Sequence, residues 1–210
     1  MYELDEWTVR YAEPEGTIEA YRAADRMGPM TIEEFERLPD EEYRCDLVRG
    51  WLVREPPAGA RHGAIASELA RALANHVKAA GLGWVFAAET GFLLVELPGT
   101  VRAPDVSFVA KDRLPAEPPP EGYVPIAHDL AVEVVSPSNR WTEVAAKVRD
   151  YLDAGTRLVW IVDPPARTVT VHWAGAAWIV RGEDDALDAE DVVPGFRIRV
   201  GSLFGEEESS

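Results

Sequence analysis

The chain has a single cysteine and no long run of apolar residues. Among its 210 residues only Cys45 carries a thiol, so no internal disulfide can form, and the flanking Arg44 and Asp46 make no zinc or redox motif. The N-terminal part is rich in acids, including Glu3 and Asp5, and has no apolar stretch long enough for a signal peptide or a membrane span. These absences predict a reduced, cytoplasmic protein that does not enter membranes.

The chain also lacks basic residues relative to acids. Its formal net charge of −16 argues against a protein that binds nucleic acid through a broad basic surface. The acids are concentrated at the two ends, however, and residues 46–182 hold 15 acids and 14 bases. The central part is therefore nearly neutral, but it shows no concentrated basic patch that would support tight DNA binding by a monomer.

An acidic residue interrupts the most apolar segment of the chain. Glu133 lies within residues 130–135, where every other residue is apolar, and such a run is typical of a central strand buried on both faces. An ionised carboxylate without a partner is costly in such a place. Glu133 therefore requires a cation, a proton or a positive neighbour, and a metal ion is one such cation.

A second acid, Asp105, lies in a segment that alternates like a strand, residues 103–109. Val106 and Phe108 point to one face of this segment, while Asp105 shares the other face with small side chains that leave room for a ligand. Pro104 fits best near the start of the strand or on an edge. Taken alone, Asp105 is better explained as a strand-end acid that accepts hydrogen bonds from the backbone.

The segment after Glu133 has the pattern of an amphipathic helix. It runs from Trp141 to about Ala154, and Gly155 is a natural stop. Its apolar stripe consists of Val144, Val148, Tyr151 and Leu152. At about 100° per residue, Lys147 lies roughly 60° from Val144, so its ammonium can reach back towards the sheet.

Two carboxylates and a lysine in this arrangement predict a site for phosphodiester hydrolysis. Carboxylates hold Mg²⁺ together with water and substrate oxygens, and the metal polarises the phosphate and activates the attacking water. A lysine positions that water or offsets the charge that develops on the phosphate. The main rival explanation is a purely structural ion pair between Glu133 and Lys147, with or without a proton on Glu133.

The order of these motifs resembles a known family. Pro104-Asp105, Glu133 to Ser138, Lys147 with residues 151–155, and Val159 to Pro164 together resemble the Uma-two family of restriction-endonuclease-like proteins, which belongs to the PD-(D/E)xK nuclease superfamily. The resemblance begins near Met30 and extends to Phe204, so it covers most of the chain. It implies an α/β fold with a central mixed β-sheet flanked by helices.

The resemblance also implies roles for individual residues. Asp105 and Glu133 would be metal ligands, with the backbone carbonyl of Val134 as a third, and Lys147 would be the catalytic lysine. In the superfamily this lysine usually lies two residues after the acid, where this chain has Val135. In the Uma-two family the lysine lies on the following helix instead, so a valine at that place is expected.

Two further residues match family positions. Asp46 stands where the family usually has a glutamate that assists catalysis, and it loses a methylene of reach. His62 matches a histidine that commonly opens the long first helix, which makes it a candidate accessory residue; it is also explained as a polar residue near a helix start.

These observations predict a Mg²⁺- or Mn²⁺-dependent endonuclease that acts on DNA. Proteins of the superfamily often work as dimers, so a homodimer is among the assemblies that the resemblance implies. Two alternatives stay open: a non-catalytic binding or assembly module that keeps the nuclease fold, and a metal-dependent hydrolase of smaller phosphate esters. Acidic flanks motivate the first alternative, and the lack of a basic DNA track motivates the second.

The remaining segments indicate the boundaries of the domain and its other secondary-structure elements. We expect an N-terminal extension over residues 1–29, a restriction-endonuclease-like domain over 30–204 and an acidic tail over 205–210. Thr31 and Glu34 predict a capping box for a short helix, and Ile65, Leu69, Leu73 and Val77 predict a long helix from Gly63 to Ala80. Residues 183–191 are expected to form a solvated loop.

Overall fold

The chain folds as alternating helices and strands, as the sequence predicts. The computed structural model describes residues 29–38, 44–88, 90–114, 118–136, 139–175 and 178–205. Its helices are α1 (Ile32–Glu36), α2 (Ala60–Ala80), α3 (Trp141–Asp153) and a 3₁₀ turn at Val200–Leu203. The strands are β1 (Arg44–Val48), β2 (Trp51–Glu55), β3 (Gly83–Ala87), β4 (Phe92–Val95), β5 (Thr100–Arg102), β6 (Val106–Ala110), β7 (Leu130–Val134), β8 (Leu158–Asp163), β9 (Thr168–Trp173), β10 (Ile179–Arg181), β11 (Ala186–Asp188) and β12 (Arg197–Arg199).

A six-stranded mixed sheet forms the centre of the molecule. Its strand order is β10-β9-β8-β7-β6-β3, with β7 and β8 parallel and the other neighbours antiparallel. This arrangement confirms the predicted mixed sheet. A separate four-stranded antiparallel sheet, β2-β1-β5-β4, lies beside it and carries the end of β2 to the candidate site.

Helices cover both faces of the six-stranded sheet. On one face, Ile65 and Leu69 of α2 pack against alternate residues of β7, among them Leu130 and Val132. On the other face, Val148 of α3 packs in a cluster with strand residues that point away from α2, namely Ala131, Val159 and Ile161. Because successive side chains of a strand point to opposite faces, this pattern places Glu133 on the face covered by α3.

Two of the local sequence signals work as expected. The Thr31 side chain accepts a hydrogen bond from the Glu34 amide, and the Glu34 side chain accepts one from the Thr31 amide, which completes the predicted capping box. Helix α2 begins at Ala60 rather than at the predicted Gly63. It ends at Ala80 and is capped by Gly81, whose φ of 65° lies in the left-handed region that glycine adopts readily.

Three expectations need correction or fall outside the described residues. Residues 183–191 are not a simple solvated loop, because Ala186–Asp188 forms β11, pairs with β12 and buries Leu187. The predicted strand over residues 103–109 starts only at Val106, since Ala103 and Pro104 separate β5 from β6. Residues 1–28 of the N-terminal extension and 206–210 of the tail lie outside the described residues. Within the described parts of the chain, no helix has the length and apolar character needed to cross a bilayer.

A buried histidine gives the fold a defined response to acid. His128 has no exposed surface; its Nδ1 lies 2.9 Å from Thr156 Oγ1, and its ring contacts Phe92 and Tyr151 edge-on. Burial lowers the pKa of His128 from 6.5 to about 3. At pH values between about 3 and 6.5, His128 therefore binds a proton in the unfolded chain but not in the folded protein.

We expect this histidine to make the free energy of unfolding fall with acidification. Above pH 6.5, His128 does not change the free energy of unfolding. As the pH falls from 6.5 towards 3, it lowers that free energy by up to about 1.4 kcal/mol per pH unit. Urea unfolding at several pH values should show this slope, and His128→Asn should reduce it. His76→Asn, which retains His128, should keep it; an unchanged slope in His128→Asn would contradict the assignment.

Candidate active site

Glu133 lies on the central strand and has two side-chain partners. All five residues of β7 are buried, and Glu133 itself is 7% exposed. Its Oε1 accepts a hydrogen bond from the Tyr151 hydroxyl at 2.5 Å, and its Oε2 accepts one from Lys147 Nζ at 3.0 Å. The sequence-based expectation that this carboxylate needs a positive neighbour is therefore met within the chain.

Asp105 joins the start of β6 to the neighbouring strand β7. It directly precedes β6 and is 3% exposed. Its Oδ2 accepts a hydrogen bond from the Val134 amide at 2.8 Å and lies 2.8 Å from Nε2 of His62 on α2. These contacts fix the Asp105 carboxylate beside the strand that carries Glu133, and they place His62 at the site.

Lys147 reaches back from α3 to the sheet, as its helical position predicts. Its side chain is only 12% exposed, and Nζ lies between Glu133 Oε2 at 3.0 Å and Glu55 Oε1 at 2.6 Å. Burial alone would lower the pKa of Lys147, but the negative charges of Glu133, Asp46 and Glu55 outweigh it and raise that pKa. Lys147 therefore carries its positive charge at neutral pH.

These side chains line one cleft of about 350 Å³. Asp105, Glu133, Val134, Lys147 and His62 all contribute to its walls. The lining comes from the end of β2, the start of α2, the end of β7 and α3, so the cleft lies at the end of β7, where the two helices on opposite faces of the sheet both contribute side chains. A substrate group could therefore contact both carboxylates and the ammonium at once.

The environment of Glu133 is suited to binding a cation. Burial raises the pKa of Glu133 to about 7; Lys147 opposes this shift, whereas the nearby charges of Asp105 and Glu55 add to it. Glu133 therefore holds a proton more tightly than an exposed glutamate does. A divalent cation would stabilise the ionised form in the way that a buried acid requires.

Asp46 lies outside the cleft lining, and its carboxylate is held by Arg102 and by the backbone. It is 1% exposed, its Oδ2 accepts from Arg102 Nη1 at 3.0 Å, and its Oδ1 accepts from the Ala103 amide at 3.2 Å. Among the described residues that line the cleft, Asp46 is absent. Arg102 also binds Asp150 at 2.5 Å, so Asp46 belongs to a buried network that ties β1 to β5 and α3.

Two residues of the site were not identified from the sequence. Glu55 ends β2, where three apolar residues are followed by two charged ones without regular alternation, and only its position before Pro56-Pro57 marks it as a strand end. Tyr151 was assigned to the apolar stripe of the helix, where its ring indeed packs, but its hydroxyl also binds Glu133. A buried tyrosine needs a partner for its hydroxyl, which is the signal that could have revealed this contact.

The described residues offer two carboxylates for a metal rather than a complete protein cage. Nowhere in the described ranges do three or more His, Cys, Asp or Glu side chains converge in a geometry suited to a metal ion. Asp105 and Glu133 supply hard oxygen ligands, and Mg²⁺ usually takes one or two carboxylates and completes its shell with water and substrate oxygens. The donor set therefore fits Mg²⁺ or Mn²⁺ better than a structural metal.

Comparisons with known proteins place the chain in a family. The sequence profile of the Uma2 family, described as "putative restriction endonuclease", matches residues 32–201. A search of curated proteins finds no match. The crystal structure of a putative nuclease belonging to DUF820 from Anabaena variabilis superimposes with a TM-score of 0.75 and 25% identity, over 84% of this chain and 98% of that one. The fold is thus restriction-endonuclease-like, and the chain belongs to the Uma2 family of putative restriction endonucleases.

Proposed function

We propose that this protein is a Mg²⁺- or Mn²⁺-dependent endonuclease that hydrolyses phosphodiester bonds in DNA. The observation that carries the proposal is the meeting of Asp105, Glu133 and Lys147 in one cleft, although they come from two strands and a helix. Family membership supports the reaction class, since the profile that matches the chain is described as "putative restriction endonuclease".

Asp105 and Glu133 would hold the metal in this proposal, together with the backbone carbonyl of Val134. When bound, a divalent cation polarises the phosphate and lowers the pKa of an attacking water. Asp105 is held in place by the Val134 amide and by His62, which gives His62 an accessory, orienting role. The second partner of Glu133, Tyr151, orients that carboxylate in the same way.

Lys147 supplies the positive charge that the reaction needs next to the carboxylates. Its ammonium can donate hydrogen bonds to the attacking water or to a phosphate oxygen on which negative charge develops. Because the side chain is largely buried and held by two carboxylates, it is preorganised at the cleft before a substrate arrives. This arrangement meets the main requirement of electrostatic catalysis.

One observation favours the alternative of a non-catalytic module. Glu133 already has both Lys147 and Tyr151 as partners, so the site is satisfied without a metal ion. In that case the trio would serve only to hold α3 against the sheet. The two accounts differ in whether the cleft binds metal and cleaves a phosphodiester.

Cleavage of supercoiled plasmid tests the proposal directly. With Mg²⁺ or Mn²⁺ present, we expect the wild type to nick or linearise the plasmid, and EDTA to stop the reaction. Lys147→Gln should slow it by about a hundredfold or more, because it removes the charge that stabilises the transition state. Lys111→Gln removes an exposed lysine that lies outside the cleft lining and should have the wild-type rate.

The outcomes separate the three functions. Absence of cleavage with either metal on supercoiled, linear and single-stranded DNA would contradict the endonuclease. Metal-dependent hydrolysis of bis(p-nitrophenyl) phosphate without any DNA cleavage would instead indicate a hydrolase of smaller phosphate esters.

A further inference from the structure

Glu55 places a third carboxylate at the cleft, at the end of a different sheet. It is the last residue of β2, it is 22% exposed, and its Oε1 lies 2.6 Å from Lys147 Nζ. Pro56 and Pro57 follow it and also line the cleft. A residue before proline favours extended backbone, so the main chain is restrained at Glu55, and its side chain is held by the contact with Lys147.

Lys147 is shared between Glu55 and Glu133, and the Glu55 contact is the shorter one. The two distances are 2.6 Å and 3.0 Å. A divalent cation on Glu133 would repel the neighbouring ammonium and compete with it for the same carboxylate oxygens. Glu55 is then the carboxylate that keeps the ammonium in the cleft, since its contact with Lys147 does not depend on Glu133.

We infer that Glu55 is a positioning residue, which holds the Lys147 ammonium at the cleft when Glu133 is engaged by a metal ion. The expected effect of Glu55 on the reaction rate rests on the proposed function. The contact between Glu55 and Lys147 is present in the structure whether or not that function is correct. Unlike Asp46, whose carboxylate pairs with Arg102, Glu55 contacts Lys147 directly. An acid elsewhere on the surface, away from the cleft, would not reach Lys147.

The kinetic test compares Glu55→Gln with Glu55→Asp. Glu55→Gln removes the charge, and we expect kcat for DNA cleavage to fall by about a hundredfold with little change in KM, the size of effect that a displacement of about 1 Å produces. Glu55→Asp keeps the charge and should recover part of the loss. Glu96→Gln, an exposed acid outside the cleft lining, removes one negative charge and should leave kcat unchanged.

A second measurement follows Lys147 without relying on activity. The chain has three lysines, Lys78, Lys111 and Lys147, so a protein labelled with ¹³C-lysine gives a simple spectrum, which Lys147→Gln assigns. Lys78 and Lys111 are exposed, whereas Lys147 is held. We expect the two ε-methylene protons of Lys147 to have distinct chemical shifts in the wild type. This difference should shrink in Glu55→Gln, and more with saturating Mg²⁺ than without it, because Glu133 still holds the ammonium when no metal ion is bound.

The combined results separate failure of the inference from failure of the proposed function. Unchanged Lys147 signals in Glu55→Gln would overturn the inference whatever the activity. Complete loss of Mn²⁺ binding in Glu55→Gln would also overturn it, because Glu55 would then be a metal ligand. If the wild type neither binds Mn²⁺ nor cleaves DNA, the proposed function and the kinetic role fail, and a change in the Lys147 signals would still support the contact.

Discussion

Replacing Glu133 with glutamine is expected to slow metal-dependent DNA cleavage by about a thousandfold, which corresponds to about 4 kcal/mol of transition-state stabilisation. The amide has the size of the carboxylate and can still form a hydrogen bond with the Tyr151 hydroxyl. It lacks the charge that binds a divalent cation, however. Lys147 retains Glu55 as a partner at 2.6 Å, so we expect the variant to fold.

The control for this variant is a charge change on the helix surface. Glu68→Gln alters an acid on α2 that is 40% exposed and paired with Arg71, and it should cleave at the wild-type rate. Far-UV circular dichroism establishes that both variants are folded. A folded Glu133→Gln that cleaves within a few-fold of the wild type would show that the central carboxylate is not a metal ligand.

Replacing Arg102 with methionine is expected to lower the free energy of unfolding by about 3–5 kcal/mol. Arg102 is 1% exposed and forms ion pairs with Asp46 at 3.0 Å and Asp150 at 2.5 Å. Burial opposes the charge of this guanidinium, but the two carboxylates raise its pKa well above the ordinary value. Methionine would fill much of the volume and leave both carboxylates without their cation.

Urea unfolding measures this effect, and a double variant identifies its cause. Adding Asp46→Asn to Arg102→Met removes one of the two stranded charges and should recover part of the lost free energy. Most small domains are stable by only about 5–15 kcal/mol, so the single variant is expected to lose a large fraction of the free energy of unfolding. A loss below about 1 kcal/mol in Arg102→Met would mean that the network does not stabilise the fold.

The sequence contains enough information to locate the centre of the site. Glu133 is conspicuous because a carboxylate cannot be left alone in a buried apolar strand, and the structure places it on β7 with a positive neighbour. Lys147 follows from helical geometry, since a residue on the border of the apolar stripe of α3 can reach the sheet. Both predictions depend on local sequence patterns, namely the apolar run around Glu133 and the helical spacing of Lys147.

The rest of the site depends on contacts between distant parts of the chain. Asp46 and Arg102 are 56 residues apart, and only the pairing of β1 with β5 brings their side chains together. Glu55 meets Lys147 because the end of a second sheet abuts α3, a packing that no periodicity encodes. Similarly, three-residue strands such as β11 are too short to show alternation within an acidic segment.

Calorimetric titration with Mn²⁺ tests the central claim, that Asp105 and Glu133 form a metal site, most directly. Wild type, Asp105→Asn and Glu133→Gln are compared at pH 8, above the pKa of about 7 of Glu133, so that proton competition is small. The proposed site predicts saturable binding in the wild type that disappears in both folded variants. Absence of binding in the wild type, or binding that survives both substitutions, would contradict it and leave Glu133 and Lys147 as a structural ion pair.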